Sequence, residues 1–217
     1  MTIAAETEVR RAPRPRADAL RNRERIVAAA REMFVEYGPE APLDEIARRA
    51  GIGNATLYRH FADRHALAHD VVLSVLARTA DQAERAAAEE TVPFAALRRF
   101  VHAAAGERIG ALCPMLSGSV DTRRLDLDAE RVRLEEAVEG LMERARQAGQ
   151  LRTDVAVGDL MVALSQLTRP LPGTGCLNMD GYIHRHLELF LDGLAAPGRS
   201  ELTGTAATLE DLRRAAP

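Results

Sequence analysis

The chain has no lysine and no tryptophan, and aromatic residues make up only 4% of its 217 positions. All 29 basic residues are therefore arginine, and any core must be built from Ala, Leu and Val, which favours helices over sheets. Two cysteines, Cys113 and Cys176, are too few for a disulfide framework and lack metal-ligand spacing, so reduced thiols are expected. No apolar run follows the N-terminal arginines, which argues against a secretory leader or a membrane span and for a cytoplasmic location. Also missing are a serine elbow, a Cys/His pair at usable spacing and a carboxylate cluster in apolar surroundings. Gly51-x-Gly53 follows a helix, not a strand, and lacks the rest of a nucleotide-binding fingerprint. These absences leave no expected enzyme and no expected cofactor. His65 and His69 stand at the i, i+4 spacing that two imidazoles need to share a metal. No third ligand is near in sequence, so no metal is expected, and His184-x-His186 points its rings apart.

Apolar residues reach 47% over 217 positions, enough for one small module plus a regulatory domain. Formal net charge is −3, which argues against a general nucleic-acid coat. Its distribution is uneven: residues 1–61 hold eleven arginines against nine acids, and the remainder eighteen against twenty-three. The basic end is where a sequence-specific binder would need it.

Leu43 to Phe61, LDEIARRAGIGNATLYRHF, reads as two short helices joined by a tight turn. Leu43, Ile46, Ala47 and Ala50 share one apolar face. Gly51 suits the left-handed conformation that ends a helix, and Leu57 and Phe61 anchor the second helix four residues apart. Asn54, Ala55, Thr56, Tyr58, Arg59 and His60 are left facing outwards. Helix, glycine turn and second helix at this spacing describe a helix-turn-helix, whose second helix enters the DNA major groove. The plain alternative is a helical hairpin packed on something else. A polar, aromatic and basic outer face, rich in donors for phosphates and base edges, weighs against it.

The block IVAAAREMFVEYGPEAPLDEIARRAGIGNATLYRHFADRHAL resembles the DNA-binding domain of the TetR family of bacterial transcriptional regulators, with Leu-Tyr-Arg-His-Phe its most specific part. The resemblance covers about Arg23 to Leu67. It implies phosphate binding by Thr56, Tyr58, His60 and Arg64, the last standing where the family usually has Lys. Asn54, Ala55 and Arg59 are candidates for reading base edges. Arg23 and Arg25 crowd the first turns of the preceding helix, where the helix dipole disfavours cations unless an anion such as a DNA phosphate is near. Two departures from the family pattern stand out: Ala41-Pro42 and Gly53 occupy places where a capping Ser or Thr is common.

The rest of the chain reads as an all-α protein of about nine helices. Residues 1–19 form a basic arm expected to be disordered, 20–66 a DNA-binding domain, 67–196 a regulatory and dimerisation domain, and 197–217 a loose tail. A first helix runs from about Ala19 to Tyr37. Asp63 caps a long helix from Arg64 to about Glu89, whose apolar stripe thins in its second half. Further helices run over Pro93–Gly110, Leu127–Ala148, Val155–Thr168 and Met179–Ala195, with a short apolar piece at Leu112–Gly118. The last two long helices are candidates for a homodimer interface through Leu160, Ala163, Leu164, Leu167, Ile183, Leu187, Phe190, Leu191 and Leu194. The family pattern further implies a cavity for an unknown small-molecule effector, with Phe100, Met115, Met142, Met161 and Gln166 as lining candidates, although Met at helical spacing is also ordinary core. Double-stranded DNA carrying a palindromic operator is the expected partner of a ligand-released repressor. A helical small-molecule or metal-binding module that has lost DNA binding is the alternative.

Overall fold

The computed structural model describes residues 15–108, 110, 112, 125–169, 180–208 and 211. Among them lie eight helices: α1 (Pro15–Tyr37), α2 (Leu43–Arg49), α3 (Asn54–His60), α4 (Arg64–Glu89), α5 (Pro93–Gly106), α6 (Leu125–Gln147), α7 (Val157–Leu167) and α8 (Asp180–Leu194). The described residues hold no strand beyond one isolated bridge, Leu151 to Ala195, so the all-α expectation holds. Most of the expected short piece at Leu112–Gly118 lies outside the described residues. So do residues 1–14 of the basic arm. The arm's end corrects one expectation: α1 starts at Pro15, four residues before Ala19. Proline is well suited to a first helical turn, and Asp18 in that turn complements the dipole.

Two apolar cores form, and α4 belongs to both. The first gathers Ile26, Ala30, Met33 and Phe34 of α1, Ile46 and Ala47 of α2, and Leu57 and Phe61, with Leu67, Val71 and Val75 of α4. The second gathers Ala80, Ala83 and Ala86 of α4 with the inner faces of α5, α6, α7 and α8. The N-terminal core therefore reaches Val75 of α4. The thinned stripe in the second half of α4 is a stripe of alanines, all at most 1% exposed. Small side chains there let neighbouring helices approach closely, so the packing is tight where the sequence looked weak. Asp63 caps α4 as expected, accepting from the Ala66 amide at 2.8 Å.

Helix α5 stops at Gly106 rather than at the expected Gly110, because Arg108 adopts φ +56°. The turn that results touches both halves of the molecule. Glu107, buried, accepts from Arg78 of α4 at 2.9–3.1 Å and from Arg31 of α1. Gly110 donates its amide to Thr168 Oγ1 at 3.0 Å, and a Cβ on Gly110 would lie 2.0 Å from the Ser165 carbonyl oxygen. Leu112 enters the N-terminal core. A second polar link joins His69 of α4, buried, to Asp126 in the first turn of α6 at 3.3 Å. Of the His65 and His69 pair, only His65 is exposed.

Part of the segment expected to be a loose tail is bonded to the body of the molecule. The Ala207 amide donates to Asp159 Oδ1 at 3.1 Å, and Arg152 donates to the Ser200 carbonyl at 2.8 Å. Gly158 has no room for a Cβ because the Ala207 carbonyl would sit 2.2 Å away. Residues 197–208 are thus pinned at both ends to the start of α7 and the loop before it.

On the surface, Arg133 of α6 ties Asp81 and Glu84 of α4 at 2.6–2.8 Å. The Arg133 hydrogen bond holds the Glu84 carboxyl below its ordinary value. A carboxyl lowered on folding contributes stability above the ordinary range, about 4.3, and loses it as pH falls through the lowered value. Urea midpoints measured between pH 6 and pH 3 should therefore fall with acid, and fall less steeply in Arg133→Gln. An unchanged acid slope in the variant would count against this cross-link. The effect is small because the groups are solvent-exposed.

Candidate nucleic-acid interface

Helix α2 ends in a hydrogen-bond pattern that fixes the turn. The Gly51 amide donates to the Arg48 carbonyl and the Ile52 amide to the Ala47 carbonyl, each at 3.0 Å. With Gly51 at φ +66°, this is the paired closure in which a left-handed residue satisfies the last carbonyls of a helix. Ile52 then packs onto the N-terminal core and Gly53, extended, precedes α3. Neither Pro42 nor Gly53 supplies a side-chain cap to the helix it precedes, as the departures from Ser and Thr imply. A different device holds the two helices: Asn54 Nδ2 donates to Asp44 Oδ1 at 2.9 Å.

Burial of Leu57 and Phe61 aims the rest of α3 outwards. Asn54, Ala55, Tyr58 and Arg59 are exposed, and Thr56 and His60 are half-buried. Neither Tyr58 nor Arg59 has a hydrogen-bond or ion-pair partner among the described residues. Arg25 of α1, also without an ion pair there, lies over the turn; a Cβ on Gly51 would come within 2.6 Å of its Nη2. Arg48 and Arg49 are neutralised locally, the first by Glu45 and the second by Glu36 at 2.7 and 2.9 Å. The Arg49 hydrogen bond keeps the Glu36 carboxyl below its usual range, so this pair stays charged and closed at neutral pH.

Two of the arginines expected at phosphates are engaged inside the protein. Arg64 donates Nη1 to the Pro39 and Ala41 carbonyls at 2.8 and 2.6 Å, fastening the loop between α1 and α2 to the start of α4. Arg23 donates Nη1 to the His60 carbonyl at 3.0 Å, pairs with Asp70 at 2.7 Å and lies 4.4 Å from the Phe61 ring centroid. The dipole argument that linked Arg23 to a phosphate fails because α1 begins at Pro15, which places Arg23 in its third turn. The partners missed by sequence reasoning, Asp44 and Asp70 on other helices and Glu107 in the turn after α5, are distant in sequence from the groups they bind, and no local spacing advertises them.

The other candidates divide in the same way. Leu160, Leu164, Leu187, Leu191 and Leu194 are at most 5% exposed within one protomer's core, so they are not available to a partner. Ala163, Leu167, Ile183 and Phe190 are half-buried. The apolar side chains that α7 and α8 leave in the open are Val162, Tyr182 and Leu189 at 41, 59 and 61%. Among the cavity candidates, Phe100 and Met142 are fully buried in the second core and Met161 packs at its edge. Gln166 is exposed and stands apart from that core, because its position on α7 faces away from Leu160 and Leu164. Met115 lies outside the described residues.

Residues 26–71 match the family model of bacterial regulatory proteins of the TetR family, and residues 90–196 match that of the C-terminal domain of SbtR-like transcriptional regulators. An HTH-type transcriptional regulator of Staphylococcus aureus is 45% identical over 58 residues, 26% of this chain. That match spans only 31% of the relative's length. The crystal structure of a TetR transcriptional regulator from Streptomyces coelicolor is 30% identical, with 81% of this chain and 99% of that chain aligned at a TM-score of 0.62. A TetR-like regulator, LfrR of Mycobacterium smegmatis, solved in complex with proflavine, shares the fold at 22% identity and a TM-score of 0.58, over 84% of this chain and 99% of that one.

The turn geometry makes a direct forecast. Gly51→Ala forces a Cβ into a left-handed backbone and against Arg25, so it should destabilise the protein by about 1–2 kcal/mol. Gly51→Asn should cost less, since Asn tolerates that conformation. Urea midpoints of the wild-type protein and the two variants order the effects. A Gly51→Ala midpoint equal to that of the wild type would contradict the assignment.

Proposed function

This chain belongs to the TetR family of bacterial regulatory proteins, and from that premise we propose that it is a homodimeric repressor released from a palindromic operator by a small molecule. The observation that carries the reading is the face of α3. Core packing takes Leu57 and Phe61, while Tyr58 and Arg59 stay exposed beside Asn54 and Ala55, without a partner among the described residues. Arg59 and Asn54 supply donors for base edges, Asn54 with its amide already oriented by Asp44. Thr56, Tyr58, His60 and Arg25 supply donors for flanking phosphates. One short helix reaches few base pairs, so a two-fold pair on a symmetric site is the arrangement that gives useful specificity.

The dimer face is assigned to Val162, Tyr182 and Leu189, with the half-buried Ala163, Leu167, Ile183 and Phe190 at its border. The buried leucines of the same helices hold that face rigid. For the effector, the second core is the candidate site, with Phe100, Met142 and Met161 as first contacts. A regulator of this fold in complex with proflavine supports a helical core that admits a ligand. The ligand must favour one conformation over the DNA-bound one, otherwise no release follows. Glu107 and Gly110 favour such coupling, since the first is paired with Arg78 of α4 and Arg31 of α1 and the second is bonded to Thr168 at the end of α7.

Selection from a random duplex library with the purified protein, followed by footprinting, tests the reading. A protected palindrome is expected. Arg59→Ala should cost about 1–3 kcal/mol on the selected site and relax one base position in each half. Tyr58→Ala should weaken cognate and random duplexes together. A folded protein that enriches no sequence would support the binding-module alternative instead.

Oligomeric state gives an independent check. Tyr182→Glu combined with Leu189→Glu should convert a dimer to a monomer in sedimentation, whereas Leu187→Ala should lower stability by about 2–5 kcal/mol without dissociating it. A dimer that survives the paired substitution would place the interface elsewhere.

A further inference from the structure

The proposed function leaves unexplained how a seven-residue recognition helix keeps its tilt. Helix α3 spans Asn54–His60, far below the length at which a helix persists unaided, so tertiary anchors must set its orientation. Leu57 and Phe61 hold its inner face, and the Asn54–Asp44 hydrogen bond holds its start. Its end is held by Arg23. The guanidinium donates to the carbonyl of His60, the last residue of α3, at 3.0 Å and covers the Phe61 ring at 4.4 Å. This satisfies a carbonyl that has no partner within the helix, and places a cation at the negative end of its dipole.

Arg23 is itself oriented from α4. Its Nη2 lies 2.7 Å from Asp70 Oδ2. The other oxygen of Asp70 lies 3.6 Å from His69 Nδ1, and His69 Nε2 lies 3.3 Å from Asp126 in the first turn of α6. Polar groups thus follow one another in the order Asp126, His69, Asp70, Arg23, His60 carbonyl, the step from His69 to its α4 neighbour Asp70 being a 3.6 Å approach longer than a hydrogen bond. The series joins a helix of the C-terminal core to the end of the recognition helix, and His69 within it is buried. We propose that Arg23 is a positioning residue, which does not touch DNA and which, through Asp70, sets the tilt of α3 according to the place of α4 and α6.

Three features follow from this arrangement. Loss of Asp70 removes a negative charge from the DNA-binding domain, yet binding weakens. Arg23 and Asp70 act as one unit, so their effects do not add. Lysine at position 23 keeps the charge but, as a point donor, cannot serve carbonyl, carboxylate and ring together.

The inference rests on the operator-binding reading for its DNA arm only, and the test separates the two. Hydrogen exchange at the Leu57–Phe61 amides is measured in the free protein. Arg23→Ala and Asp70→Asn should each accelerate it at least tenfold and leave α7 and α8 unchanged, with Arg23→Lys intermediate. The Arg23→Ala/Asp70→Asn double variant should be no faster than either single one. Unchanged α3 exchange in Asp70→Asn, or additive effects in the double variant, overturns the proposal; Arg23→Lys decides it if Arg23→Ala fails to fold. On the duplex selected by the wild-type protein, both single variants should lose about tenfold in affinity while the slope of log affinity against log salt is kept. A slope reduced by about one unit in Arg23→Ala would make Arg23 a phosphate ligand and sink the idea. If the wild-type protein selects no duplex, the operator reading fails while α3 exchange still decides the relay.

Discussion

One rod is shared by two cores, and that constraint organises the molecule. Helix α4 runs unbroken from Arg64 to Glu89, about 39 Å at 1.5 Å per residue. Its first half presents Leu67, Val71 and Val75 to the N-terminal bundle, and its second presents Ala80, Ala83 and Ala86 to the C-terminal one. A straight helix without Pro or Gly has no hinge, so neither bundle can shift against α4 without disturbing buried side chains. The single hydroxyl at the change of composition, Thr79, is satisfied by the Val75 carbonyl at 2.7 Å, which leaves the helix intact there. Any displacement of the C-terminal helices would therefore be carried towards α2 and α3 by a rigid rod.

Arginine does the cross-linking that this lysine-free chain needs. A planar fork with five donors can serve several acceptors at once, and the structure uses it that way repeatedly. Arg64 spans two carbonyls, Arg23 a carbonyl, a carboxylate and a ring, and Arg152 Asp154 with the Gly193 and Ser200 carbonyls. Buried Glu107 answers two such forks, from Arg31 and Arg78. Removing one partner of a buried pair leaves a charge without compensation, which costs far more than the pair contributes net. Such links therefore specify geometry more than they add stability, and geometry is what a DNA reader requires.

That same versatility limits what could be read from the residues alone. Apolar spacing located the helix-turn-helix, because Ile46, Ala47, Leu57 and Phe61 are core by period and Gly51 is a turn by chemistry. It located Asp63 as a cap, since capping is local. An arginine carries no such local sign. Arg23, Arg59 and Arg64 look alike in sequence, and only the positions of Asp70, Pro39 and Ala41 in space separate struts from the exposed Arg59. Five of the nine dimer candidates, Leu160, Leu164, Leu187, Leu191 and Leu194, are buried for a related reason: period identifies an apolar face, but the most regular face of α7 and α8 is consumed by the protomer's own core. The exposed Val162, Tyr182 and Leu189 fall outside that pattern, and period alone does not single them out.

What packing leaves unused then carries the argument about function. Within the described residues, the N-terminal bundle leaves α3's outer face open, and the C-terminal bundle leaves the outer stripe of α7 and α8. The recognition helix is tied to α4 by the Asp70–Arg23 link, the loop before α2 is tied to α4 by Arg64, and α4 is fixed to the C-terminal core by the alanine stripe. In a two-fold dimer formed through that outer stripe, the distance between recognition helices becomes a property of the C-terminal cores alone. On the proposed reading, a ligand among Phe100, Met142 and Met161 would not need to approach the DNA to alter it. A small rotation of one core about the dimer contact, carried along a rod of this length, displaces α3 by more than it displaces the residues around the ligand. Rigidity of the DNA-binding bundle is what makes that lever effective, since any slack at α3 would absorb the displacement before it reached the groove.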